Sequence, residues 1–107
     1  NLPFVNKNGT MKEVVLKMTE SRLGLALIGN EEKLEGIITD GDLRRSLLMS
    51  DDFTKIEIKD ILNKSPMTAE ENDNLQFAHE RMKEARLQSL VVKNNDEKIV
   101  GVIQIFK

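Results

Sequence analysis

The chain has 107 residues, 39% apolar and 32% charged, a composition typical of one soluble globular domain rather than of a disordered segment. Its net charge of −2 gives no electrostatic reason to expect nucleic acid, and no apolar run approaches the roughly 20 residues that a membrane helix needs. The absence of cysteine excludes disulfides and cysteine metal sites and, with no visible signal peptide, predicts a cytoplasmic protein.

The first half of the chain predicts a helix, two strands and a second helix. Thr10 begins a capping-box pattern with Glu13. The apolar stripe of the helix behind this cap consists of Met11, Val14, Val15 and Met18. Short apolar runs then predict strands at residues 23–28 and 34–39. Residues 42–49 predict the second helix, and its inner face would consist of Leu43, Leu47 and Leu48.

The second half repeats this plan. Either Asp73 or Asn74 can cap a helix. The apolar stripe of that helix consists of Leu75, Ala78, Met82 and Ala85. Strands are predicted at residues 89–93 and 99–106, with a polar turn between them.

The two halves align with each other along the sequence. Met18 corresponds to Met82 at an offset of 82 − 18 = 64, and Gly36 corresponds to Gly101 at 101 − 36 = 65. Each half alone is too small to bury much apolar surface, so such repeats pack in pairs. The predicted fold class is therefore α+β, with α/β-type packing. It comprises two pseudo-symmetric repeats, each a small sheet with helices on one face, and a cleft between them.

The stretch GIITDGD, residues 36–42, joins the end of a strand to the start of a helix. Gly36 permits the close approach of another backbone or of a flat ligand. Thr39 offers a hydroxyl donor beside the free N–H groups of a helix N-terminus, a combination that suits a phosphate. Asp42 can accept both hydroxyls of a ribose. Together with apolar strand edges for a base, these residues describe a nucleotide site.

The same residues also have a purely structural interpretation. Thr39 fits a turn, and Asp42 fits a helix cap or a first-turn acid favoured by the helix dipole. Arg44 and Arg45 can bind a phosphate or a sugar carboxylate in bidentate fashion, or can be solvated residues on an exposed helix face. His79 is the only histidine, and the sequence predicts neither a metal site nor a catalytic residue.

The tandem plan together with GIITDGD resembles the CBS domain pair, or Bateman module. The ligand signature of that family is a glycine, two apolar residues, Thr or Ser, two variable residues and Asp, which Gly36, Thr39 and Asp42 match in place. More narrowly, GIITDGDLRR resembles the first repeat of bacterial arabinose-5-phosphate isomerases. The stretches LPFVNKNGTMKEVVLKM and DILNKSPMT resemble the start and the inter-repeat linker of the same module.

This resemblance implies a domain division and a ligand-binding set. Repeat 1 would occupy residues 1–50, the linker 51–64, and a C-terminally truncated repeat 2 residues 65–107. In such pairs the base pocket is completed by the strand that leads into a repeat and by the next strand, here Ser65, Pro66, Met67, Thr68, Leu90 and Val91. Core packing is the alternative for these residues, above all for the last two. The expected ligand-binding residues are Gly36, Thr39, Asp42, Arg44, Arg45, Met67 and Thr68.

The second repeat departs from the signature. Gln104 stands at the position of Thr39, and Lys107 at the position of Asp42. Because a cation replaces the carboxylate that would bind ribose, at most one site of the usual kind is expected.

In the isomerase family a catalytic sugar-isomerase domain precedes the CBS pair, and these residues contain none of it. The chain begins with Asn1 and ends just after an apolar run, so we expect a segment of a longer protein. The resemblance implies a non-enzymatic regulatory segment of an isomerase that interconverts D-arabinose 5-phosphate and D-ribulose 5-phosphate in ketodeoxyoctulosonate biosynthesis, for lipopolysaccharide or capsule.

The expected effector is AMP, ATP or a CMP-sugar, and no other cofactor is expected. The expected protein partners are the catalytic isomerase domain of the same protein and further copies in a homo-oligomer, without nucleic acid or membrane. Two alternatives stay open: an assembly module whose cleft is empty, and an adenine-nucleotide-sensing CBS pair of another enzyme.

Overall fold

The structure, a computed structural model, describes residues 2–105 and contains two three-stranded sheets with helices packed against them. The elements in chain order are β1 (Phe4–Val5), α1 (Met11–Ser21), β2 (Leu25–Gly29), β3 (Leu34–Thr39), α2 (Asp40–Ser46), a 3₁₀ turn (Phe53–Lys55), α3 (Ile58–Ile61), β4 (Thr68–Glu70), α4 (Leu75–Ala85), β5 (Ser89–Lys93) and β6 (Ile99–Gln104). The predicted α+β fold of two similar repeats is confirmed. No helix within residues 2–105 is long and apolar enough to cross a membrane.

The two sheets have the same topology. Their strand orders are β1-β2-β3 and β4-β5-β6; in each sheet the first pair is parallel and the second antiparallel. Parallel neighbours need a crossover connection, which α1 and α4 provide. Thr39 pairs with Leu25, and Gln104 pairs with Ser89, so the two predicted counterparts lie at equivalent ends of their hairpins.

Local caps explain where the long helices begin. Thr10 Oγ1 accepts the backbone N–H of Glu13 at 3.2 Å, as the capping-box pattern predicts. Of the two candidate caps in the second half, Asn74 begins α4, because its side-chain oxygen accepts the N–H groups of Gln76 and Phe77.

The predicted inner faces of α2 and α4 are partly wrong. The cap at Thr39 starts α2 at Asp40, two residues before the predicted start at residue 42, and the helix ends at Ser46 rather than at residue 49. Leu47 and Leu48 therefore lie in a turn, with 55% and 88% of their surface exposed. On α4 only the middle of the predicted stripe, Ala78 and Met82, is buried; Leu75 at the start of the helix and Ala85 at its end are exposed.

Apolar side chains from both repeats meet between the two sheets. This central cluster consists of Leu25, Leu27, Ile37, Val91 and Ile99. The alternate residues of β2, Ala26 and Ile28, face α1 instead, so the strand is buried on both sides and reads as a continuous apolar run. Leu90 lies in a separate cluster beneath α4 and, like Val91, is 1% exposed, as core packing requires.

The segment between the repeats packs on the first of them. Ile56 and Ile58 are buried in the cluster beneath α1. The N–H and C=O groups of Asn63 pair with those of Ile37 at 3.0 Å each, and this contact needs the absence of a side chain at Gly36. A Cβ there would lie 2.3 Å from the carbonyl oxygen of Asn63. The division of the chain at residues 51–64 stays a prediction.

Candidate functional site

A cleft of about 710 Å³ opens where the two repeats meet, at the end of each β-hairpin. Its volume lies within the range of about 300–1,000 Å³ that is usual for small-molecule sites. Apolar walls come from both halves and consist of Val15, Met18, Leu23, Ile37, Leu43, Met67, Leu87 and Ile105. Such walls suit a flat, partly apolar group such as a nucleobase.

The charge of the cleft is opposite to that of the chain. Among the described residues, four arginines line it against one carboxylate, Asp40, which makes this lining +3 on a chain of net charge −2; the arginines are Arg22, Arg44, Arg45 and Arg86. A cleft lined by one sign of charge concentrates ligands of the other sign. The lining therefore favours an anionic ligand.

The structure brings together some of the residues that the sequence selected. Of the seven expected ligand-binding residues, four line the cleft: Thr39, Arg44, Arg45 and Met67. Gly36 is buried beneath Asn63, so the close approach it permits is made by a backbone. Thr68 lies in β4 opposite Val91, and its carbonyl oxygen accepts a bond of 3.3 Å from the Arg81 guanidinium. A ligand-binding role for any of these seven residues stays a prediction.

Asp42 caps α2 and does not line the cleft. Thr39 Oγ1 accepts the Asp42 N–H at 3.2 Å, and Asp42 Oδ2 accepts the Thr39 N–H at 2.9 Å, a reciprocal capping box. The other carboxylate oxygen, Oδ1, accepts from Arg45 Nη2 at 2.6 Å. Because both oxygens already have partners, a ribose would have to share or displace Arg45.

Backbone contacts hold the first turn of α2 against β2. The N–H of Asp40 donates to the carbonyl oxygen of Gly24 at 3.0 Å, and Gly24 has a φ of 71°, which favours glycine. The Arg45 guanidinium lies over Gly41, where a Cβ would meet its Nη1 at 3.2 Å. Within residues 2–105, no group of three or more His, Cys, Asp or Glu side chains could hold a metal ion.

Hydrogen bonds at the cleft tie the repeats together. Ser89 Oγ donates to the carbonyl oxygen of Leu23 at 2.9 Å, and Gln104 Nε2 lies 3.5 Å from the carbonyl oxygen of Arg22. Gln104 thus contacts the first repeat, whereas Thr39, at the equivalent position of the first repeat, caps α2. Lys107, the predicted counterpart of Asp42, lies outside the described residues.

Sequence reasoning missed two arginines of the cleft. Arg22 and Arg86 end α1 and α4, both have a φ of 59°, and both line the cleft. The signal was available, because the two positions are 86 − 22 = 64 residues apart, the repeat offset. Their convergence depends on how the repeats pack, which the alignment alone does not show.

The family model of the CBS domain matches residues 1–49 and again residues 58–105. A probable arabinose 5-phosphate isomerase of Haemophilus influenzae is 36% identical over 96% of this chain and 31% of its own length. Arabinose 5-phosphate isomerase KpsF of Escherichia coli is 32% identical over 99% of this chain and 33% of its own length. The chain therefore spans about a third of these relatives. The predicted resemblance to the CBS pair of such isomerases is confirmed.

Solved structures share the fold over nearly the whole chain. A CBS domain protein from Pyrobaculum aerophilum complexed with AMP has a TM-score of 0.84 at 24% identity, covering 96% of this chain and 79% of that one. The CBS domain pair of protein MJ0100, in complex with 5′-methylthioadenosine and S-adenosyl-L-methionine, has a TM-score of 0.81 at 21% identity. It covers 96% of this chain and 84% of that one. At these identities the likeness shows the fold.

Proposed function

This chain belongs to the CBS domain family, and from that premise we propose that its cleft binds a nucleotide or nucleotide-sugar effector. One observation carries the proposal: a cleft of net positive charge, with apolar walls from both repeats, on a chain of net negative charge. Arginines and a hydroxyl are the groups that phosphates require, and the apolar walls suit a base. The AMP complex of a structure with the same fold supports an adenine nucleotide as one candidate.

The proposed pose follows from the contacts at α2. The phosphate lies beside the Thr39 hydroxyl and Arg44, because Arg44 takes part in no ion pair within residues 2–105. The ribose reaches Asp42 by displacing Arg45, whose side chain is largely exposed and can turn toward the phosphate. The base lies against Met67 and the neighbouring apolar wall.

The proposed parent protein is an arabinose-5-phosphate isomerase, as the curated relatives are. Its catalytic domain would interconvert D-arabinose 5-phosphate and D-ribulose 5-phosphate for ketodeoxyoctulosonate synthesis, outside these residues. An effector that binds two states of the CBS pair with different affinity would shift the catalytic domain between them. A cytidine-activated sugar acid, a downstream product, offers a phosphate, a ribose and a carboxylate for the arginines.

A second candidate function is assembly of a homo-oligomer around an empty cleft. It is favoured by apolar side chains that the described residues leave uncovered after α2, where Leu47, Leu48 and Met49 are all exposed. A chain that buries these residues against another copy needs no ligand. Sedimentation of the protein with and without nucleotide, beside the thermal measurement below, separates the two functions.

We expect a nucleotide of the correct class to raise the melting temperature of this chain. At about 100 times its dissociation constant a ligand stabilises the folded state by roughly 2.7 kcal/mol, a shift of several degrees at this size. The measurement is a thermal-shift series with AMP, ADP, ATP, CMP and a cytidine-activated sugar acid. A selective cytidine shift supports end-product sensing, and an adenine shift supports general nucleotide sensing. An unchanged melting temperature with all five ligands, together with a stable oligomer, would favour the assembly function over ligand binding.

Asp42→Ala tests the ribose contact, with Asp60→Ala as its control. Asp60 Oδ2 accepts the Glu57 N–H at 3.0 Å, the same capping bond outside the cleft. Each variant should lose about 1 kcal/mol of unfolding free energy through its cap. Only Asp42→Ala should also reduce the nucleotide-dependent shift in melting temperature. Equal ligand shifts in the two variants would show that Asp42 acts only as a cap.

A further inference from the structure

Two arginines of the cleft have a backbone conformation that arginine rarely adopts. Arg22 (φ 59°, ψ 25°) and Arg86 (φ 59°, ψ 38°) lie in the left-handed region at the C-terminal caps of α1 and α4. Glycine is the usual residue in left-handed conformations at helix ends, because a Cβ is strained there. The chain therefore accepts backbone strain at both positions, although glycine would remove it.

Both positions converge on one place. Arg22 and Arg86 are equivalent in the two repeats, and both line the same cleft. None of the four ion pairs formed within residues 2–105 includes either of them. Inter-repeat hydrogen bonds at the adjacent backbone, to the carbonyl oxygens of Arg22 and Leu23, hold this part of the cleft together.

We propose that Arg22 and Arg86 form a second anion subsite in the cleft, contributed equally by the two repeats. It takes a second anionic group of the same ligand whose first phosphate lies beside Thr39 and Arg44, and so it rests on the proposed function. The preferred ligand class is a nucleotide with at least two anionic groups: a nucleoside di- or triphosphate, or a nucleotide that carries a sugar carboxylate. A nucleoside monophosphate fills only one subsite.

A structural role for the same arginines has a different consequence. A cation at the C-terminal end of a helix interacts favourably with the helix dipole. If that were their whole role, the two residues would affect stability and not ligand preference. Charge at the subsite instead affects the affinity for the second anionic group, and charge-assisted bonds of this kind change affinity by about tenfold or more.

The test is isothermal titration calorimetry of AMP, ATP, CMP and CTP with the 107-residue chain and its Arg22→Gly and Arg86→Gly variants. We expect each variant to weaken binding of the triphosphate about tenfold and of the matching monophosphate less than about threefold. The variants should remain folded, because glycine adopts a left-handed cap without strain.

Glu97→Gly is the matched control. Glu97 also has a positive φ, 62°, but lies in the hairpin turn of the second repeat and does not line the cleft. This change relieves the same kind of strain and should leave triphosphate affinity unchanged. Triphosphate binding that is no tighter than monophosphate binding, or equal in wild type and both arginine variants, overturns the second subsite alone. A wild-type chain that binds neither these four nucleotides nor a cytidine-activated sugar acid overturns the proposed function and the subsite with it.

Discussion

Gly36→Ala should lower the free energy of unfolding by about 3 kcal/mol or more, because the added methyl group meets backbone that cannot move aside cheaply. A Cβ at Gly36 would lie 2.3 Å from the Asn63 carbonyl oxygen and 2.8 Å from Leu62 Cδ1. To accommodate it, residues 62–63 must withdraw from β3 and break both backbone bonds between Asn63 and Ile37. Urea denaturation followed by circular dichroism measures this loss.

Gly101→Ala is the control for that prediction. Gly101 occupies the same place in β6, but among the described residues nothing lies within 4 Å of a Cβ built there. Because alanine is also the better residue within a strand, the change should be neutral or stabilise by up to about 0.5–1 kcal/mol. Equal destabilisation by the two substitutions would show that the contact with Asn63 is not the cause.

Gly36→Ala also separates two roles of the first residue in the GIITDGD motif, a structural role and a ligand contact. If Gly36 serves the fold, the folded fraction of Gly36→Ala should bind nucleotide with the affinity of the wild type. If a ligand approaches Gly36 directly, its affinity should fall as well. Calorimetry at a temperature where the variant is still folded distinguishes these outcomes.

Leu27→Ala should destabilise both repeats together by about 2–5 kcal/mol, the usual cost of truncating a fully buried leucine. Leu27 is 0% exposed, and its side chain belongs to the central cluster that also contains Val91 and Ile99 of the second repeat. Because this cluster joins the repeats, and its member Ile37 also lines the cleft, we expect one cooperative unfolding transition at lower urea concentration. Far-ultraviolet circular dichroism and pulse proteolysis, both measured across the same urea series, should report the same unfolding midpoint.

Leu75→Ala is the matched control for this truncation. Leu75 is 58% exposed at the start of α4, so the same loss of atoms creates no cavity and should change stability by less than about 0.5 kcal/mol. Two separate unfolding transitions in Leu27→Ala would contradict the view that the central cluster couples the repeats.

The sequence by itself determined the parts of the molecule that depend on neighbours along the chain. The strands at residues 34–39 and 89–93 have the predicted bounds, and the cap at Thr10 is where the local pattern indicates. These features are local because apolar runs define buried strands, and a capping side chain bonds to backbone within three residues of itself. The offset of 64 or 65 residues also predicted the pairing of two repeats.

Only the tertiary structure decided which faces are covered. It left Leu47 and Leu48 exposed, covered Gly36 with Asn63, and added β1, which is too short to show alternation. It also brought Arg22 and Arg86 into one cleft. Each of these outcomes depends on contacts between segments far apart in the chain, and a pattern of neighbouring residues carries no information about which distant segment will cover a given face.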